Sequence, residues 1–149
     1  MPVVVAPAGP ADRPHLLALL AAQLAEHDIA LDTPGLEQAV DGMLEDPRRG
    51  AFLVAREGEE VVGVACLAFI WTLEHGGLSL WLDELYVLPA RRGQGIGRAL
   101  VHATLEEGRR RGCKAVDLEV EASHARVEAL YRREGFTPHE RRRWVHRLT

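Results

Sequence analysis

Residues 82–100, LDELYVLPARRGQGIGRAL, run from an extended apolar stretch through Pro89 into a glycine-rich loop that opens directly into a helix. Gly93, Gly95 and Gly97 lack a Cβ, so the backbone there can take positive φ and lie against a ligand. Ile96, Ala99, Leu100, Ala103 and Thr104 then recur at helical spacing, which places one apolar helical face with its start inside the loop. Between Leu88 and Arg98 there is no Ser, Thr, Asp or Asn to satisfy the orphan N–H groups of that helix start. An anion would satisfy them instead. The positive end of the helix dipole, with Arg91, Arg92 and Arg98 around it, suits a phosphate or pyrophosphate.

Spacing separates the known phosphate loops. A P-loop ends in Gly-Lys-Ser/Thr, whereas Gly97 is followed by Arg98 and Ala99, so no hydroxyl is offered to magnesium. A dinucleotide loop needs G-x-G-x-x-G; the glycines here are spaced G-x-G-x-G, although Asp117 and Glu119 stand about twenty positions on.

The 149 residues suit one domain, 1–149, and 47% apolar content suffices for a core. No uninterrupted apolar run has the length of a membrane span, and the first residues, MPVVVAPAGPADR, do not read as a leader; a cytoplasmic protein is expected. Cys66 and Cys113 read as reduced structural thiols, and the seven histidines show no metal-ligand spacing, so no metal is expected. Charge is divided unevenly. Residues 1–90 carry 4 Arg against 14 Asp and Glu, while residues 91–149 carry 13 Arg and 1 Lys against 8 Asp and Glu. A basic half around the loop suits a polyanionic cofactor, and an acidic half suits a cationic partner; the short basic runs argue against nucleic acid.

In chain order, residues 3–6 form a β-branched strand, and Leu16, Leu17, Leu19, Leu20 and Leu24 stripe a first helix. Thr33 and Pro34 stand as N-cap and first residue of a second helix that stops at Asp46-Pro47. Residues 52–56 and 61–71 form a hairpin, residues 78–87 the strand feeding the loop, and Gly112 closes the loop helix. A strand over 115–120 follows. Ser123 caps a short helix closed by Gly135, and Phe136, Trp144, Val145 and Leu148 mark the last β segments.

Arg92, Gly93, Gln94, Gly95, Ile96 and Gly97 spell Arg-x-x-Gly-x-Gly, which resembles the acetyl-CoA pyrophosphate loop of the GNAT superfamily of N-acetyltransferases. Tyr131, Gly135 and Phe136 match a second family pattern, in which His124 stands for the usual asparagine and Val127 for a small residue. The motifs are also similar to those of the diamine and small-amine branch. The resemblance covers almost the whole chain and implies a GNAT fold in the α/β (α+β) class: a mixed, mostly antiparallel sheet of six to seven strands with about four helices. It implies acetyl-CoA as co-substrate and a small-molecule primary amine as acceptor; a homodimer is the one assembly expected beside them. Cofactor contacts fall to Leu85, Tyr86, Val87, Arg92, Gly93, Gln94, Gly95, Ile96, Gly97, Arg98 and His124.

The chemistry needs a base. At an alkylamine pKa of ~10.4 about one molecule in 2,500 is neutral at pH 7, a penalty of roughly 4.6 kcal/mol unless the proton is removed in place. Asp83 and Glu84 are the only charged residues between Gly76 and Arg91, and strict alternation would send them to opposite faces. The resemblance ranks Asp83 first. Direct attack gives a tetrahedral intermediate whose oxyanion backbone N–H groups of residues 85–87 would hold, while the Tyr131 hydroxyl would donate to the departing sulfur. Trp71, Trp81 and Tyr86 could line an acceptor pocket. His27 and His75 are weaker candidates for polar groups there. A non-catalytic acyl-CoA-binding or sensing module is the alternative, kept open by His124.

Overall fold

The computed structural model describes residues 2–120 and 125–149, and the chain divides into two compact units, Met1–Glu119 and Val120–Thr149. The expected Ser123 cap and the His124 contact lie outside the described residues.

In the first unit, β1 (Val3–Pro7) leads through a 3-10 turn (Pro10–Asp12) to α1 (Arg13–Glu26) and α2 (Thr33–Glu45). Then come β2 (Gly50–Glu57), β3 (Glu60–Thr72), β4 (Gly77–Val87), a 3-10 turn (Pro89–Arg91), α3 (Ile96–Arg110) and β5 (Val116–Asp117). The sheet runs β1-β2-β3-β4-β5, antiparallel up to β4 and parallel between β4 and β5. Gly58, with φ +61°, turns the β2–β3 hairpin.

Alternation along β2 and β3 sorts the core into two layers. Phe52, Val54, Val64, Cys66 and Tyr86 pack with Leu16, Leu19 and Leu20 of α1 and Val40 of α2. The opposite face is covered by α3. There Gly63 admits the helix so closely that an added Cβ would stand 3.1 Å from Leu100 Cδ1. The buried face of α3 is Ile96, Leu100, Val101, Thr104, Glu107 and Gly108, rotated from the expected one: Ala99 is exposed and Ala103 half-buried. The expected α2 cap moves by one residue, because the carboxylate of Asp32 accepts from the Gly35 N–H at 3.1 Å and Thr33 is already helical.

Among the described residues there are five strands rather than six to seven, with four α-helices as expected. The strand expected over 115–120 shrinks to two residues, and the β segments expected beyond Phe136 are not formed. A strand exists only through a partner's hydrogen bonds, which side-chain pattern cannot supply. Trp144 and Leu148 are 89% and 91% exposed, so that segment gains no burial to fix an extended form. In the second unit, α4 (Ala125–Arg133) ends as expected: Gly135 takes φ +93°, and the Phe136 N–H donates to the Tyr131 carbonyl at 3.0 Å.

Candidate active site

The β3–β4 ladder slips by one residue at its centre. Cys66 pairs with Glu84 and Leu67 with Leu82, so Asp83 is the extra residue of a bulge. The bulge cancels the alternation that would have separated the two carboxylates. Burial, then the negative charges of both Asp83 and Glu84, push the Cys66 thiol up to about 12. The Trp81 indole N–H donates to Asp83 Oδ1 at 3.3 Å and anchors the exposed bulge. The bulge therefore brings both carboxylates to one side of β4, where strict alternation would have set them on opposite faces.

Among the described residues β4 has no outer neighbour past the bulge. β5 pairs only with Leu80 and Trp81, with Lys114 N–H to Leu78 O at 2.8 Å and Leu80 N–H to Ala115 O at 3.0 Å completing the contact. The Leu88 N–H donates to Val62 O, so the alternation turns residue 86 toward β3 and residues 85 and 87 toward the open edge. Two amides, at Leu85 and Val87, are thus presented at that edge, and the Tyr86 N–H expected beside them belongs to the ladder. The edge carbonyls have side-chain donors: Gln23 Nε2 reaches Leu85 O at 3.4 Å, and Arg92 Nε reaches Val87 O at 2.9 Å.

Two of the arginines shape the loop from within. Arg91 pairs with Glu57 and donates to Gln94 Oε1 at 3.2 Å. Arg92 lies over the Tyr86 ring at 5.3 Å and donates to Glu26 at 2.7 Å, so its charge is engaged by protein partners. That contact holds the Glu26 carboxyl below its usual range, while burial and the Glu26 hydrogen bond push the Tyr86 phenol up. Arg98 is exposed on the first turn of α3.

The loop then turns on two glycines. Gly93 and Gly95 have φ of +78° and +83°, and a Cβ built on either meets no atom within 4 Å. Gly97 lies inside α3 and needs no such conformation. Gly95 is the N-cap of α3, and no side chain caps it. An uncapped helix start of a fifteen-residue helix, with open space above two left-handed glycines, fits a pyrophosphate. Of the other expected contacts, Ile96 is buried in the core.

The second unit holds Tyr131, buried on α4 with its ring edge-on to Phe136 at 5.6 Å. Among the described residues no cluster of His, Cys, Asp and Glu could hold a metal. No helix there is long and apolar enough to cross a membrane. Of the weaker sequence candidates, His75 Nε2 pairs with Asp117 at 2.8 Å, and Trp71 is 76% exposed. Gln23 is the residue that the sequence reading passed over. It continues the buried stripe of Leu16, Leu19 and Leu20, and a polar residue at that spacing was its signal.

An open strand edge running into an uncapped helix start is the arrangement of an α/β protein able to receive a phosphate-bearing ligand. This chain belongs to the acetyltransferase (GNAT) family, whose model matches residues 16–136. It is 39% identical over 108 residues to a mycothiol acetyltransferase of Beutenbergia cavernae, a match spanning 62% of this chain and 36% of that protein's length. To an aminoalkylphosphonate N-acetyltransferase of Salmonella typhimurium it is 33% identical over 106 residues, 71% of this chain and 68% of the relative. In three dimensions it resembles an integron cassette protein from the mobile metagenome of Cole Harbour Salt Marsh. That match has a TM-score of 0.86 and 28% identity, over 97% of this chain and 90% of the other.

Proposed function

We propose that the chain is an acetyl-CoA-dependent N-acetyltransferase that acetylates a primary amine of a small molecule, its two units working as one domain. The observation that carries this reading is the continuity of the open β4 edge with the uncapped start of α3. The residues present fit acetyl-CoA: the α3 N–H groups and Gly93 and Gly95 would hold the pyrophosphate, and the edge amides of Leu85 and Val87 would hold the acyl arm. The bound thioester supplies the acetyl group.

The protein then has three tasks. Asp83 or Glu84, both on the Cys66 side of β4, would attract the ammonium and take its proton, directly or through water. An edge amide would stabilise the oxyanion of the tetrahedral intermediate formed by direct attack. The hydroxyl of Tyr131 would donate to the sulfur as the thiolate leaves. The two curated relatives are named for different compounds, mycothiol and aminoalkylphosphonate, so the acceptor class here rests on the paired carboxylates. Thiol release from acetyl-CoA, measured across diamines, aminoalkylphosphonates and aminoglycosides, tests the reading. Amine-dependent release supports it, and acetyl-CoA binding without release for any amine would favour a sensing module.

A further inference from the structure

Gln23 is 7% exposed on the apolar stripe of α1, where its neighbours at helical spacing are Leu16, Leu19 and Leu20. Its Nε2 donates to the Leu85 carbonyl at 3.4 Å. Its Oε1 is enclosed and has no hydrogen-bond partner among the described residues. Exchanging the two ends of the amide would set oxygen against the Leu85 oxygen, so the carbonyl contact fixes which atom is orphaned. A buried acceptor without a donor is destabilising, and Leu or Met would fill the same volume on an apolar stripe without that defect. The Leu85 peptide it touches is also one of the two presented at the open edge of β4.

We propose that Gln23 is a positioning residue of the transfer site: Nε2 aims the Leu85 peptide, and Oε1, closed off from solvent in the free chain, becomes the acceptor for a substrate N–H once binding at the β4 edge opens it. Two substrates carry such a donor, the amide groups of the acyl-CoA arm and the attacking amine. The inference rests on the acetyltransferase reading and goes beyond it by assigning a side chain on α1 to the chemistry of β4.

The volume-conserving change Gln23→Met removes both the anchor and the orphaned oxygen. The expected result is a melting temperature unchanged or raised, with kcat/KM lowered about 10- to 100-fold. A rise confined to the acetyl-CoA KM assigns the donor to the acyl-CoA arm, and a rise confined to the amine KM assigns it to the acceptor. Unchanged kinetic constants, or a lower melting temperature with unchanged kinetics of the folded protein, would overturn the proposal. A second measurement needs no variant. The NMR resonance of the Gln23 side-chain carbonyl carbon in the wild-type chain is expected to move on adding CoA or the amine alone, and no movement with either also overturns it. Absence of any turnover by the wild-type chain would instead remove the acetyltransferase reading, and this inference with it.

Discussion

A carboxylate takes a proton from an ammonium only where the two can meet, and the bulge at Asp83 decides which carboxylates qualify. With both acids on one side of β4, Asp83→Asn and Glu84→Gln are separable tests. The residue acting as base is expected to lose about 10²- to 10⁴-fold in kcat/KM at pH 7, and the loss is expected to shrink as pH approaches the amine's own pKa. Equal turnover in both single variants and their double would exclude the pair. Tyr131→Phe, which keeps the ring against Phe136, is expected to lower kcat over the same range with little change in melting temperature. Unchanged kcat with an identified amine would take Tyr131 out of the mechanism. Cys66 reports on the same acids. With a folded-state value raised to about 12, its thiol is expected to resist a thiol reagent at pH 8 until the protein unfolds. Its contribution to stability, present in full below about 9, the ordinary thiol value, is lost as pH climbs through the folded value.

Helices and strands that carry their own signal were readable in the sequence. The stripe of α1, the Asp46-Pro47 stop of α2, the glycine-opened α3 and the Gly135 close of α4 each rest on local spacing or φ preference. What was not readable depends on pairing. The bulge is a property of two strands in register, so the alternation of β4 alone misassigned the faces of Asp83 and Glu84. The shortness of β5 and the missing final strands have the same origin, since apolar residues 115–120 and 144–148 resemble strands whether or not a neighbour accepts their hydrogen bonds. The ion pairs of Arg91 and Arg92 were likewise not readable, because their partners Glu57 and Glu26 lie 34 and 66 positions away in sequence. At α3 the local rule makes a firm prediction. Gly95→Ala keeps the open space but forces φ +83° on a residue with a Cβ, so it is expected to lose about 1–2 kcal/mol of stability, read by denaturant unfolding. No loss would mean that the loop relaxes freely.

Across the molecule, carboxylates paired with arginines set the response to acid. Hydrogen bonds from Arg56 to Asp12, from Arg92 to Glu26 and from Arg110 to Glu107 hold these carboxyls below their ordinary values of 3.8 and 4.5. A lowered folded-state value means stability that is present above the ordinary value and lost as pH falls through the folded one. The melting temperature is therefore expected to be level near pH 6 and to drop below about pH 4; a rise on acidification would contradict these pairings. Acetyl-CoA is expected to bind along the β4 edge and at the start of α3. Titration calorimetry with acetyl-CoA, run on the wild-type chain and on Gly95→Val, tests it most directly. Saturable binding by the wild type and none by Gly95→Val, with the variant shown to be folded by its own melting curve, is the predicted result. Absence of heat with the wild type at millimolar acetyl-CoA, or equal binding by the folded variant, would contradict it.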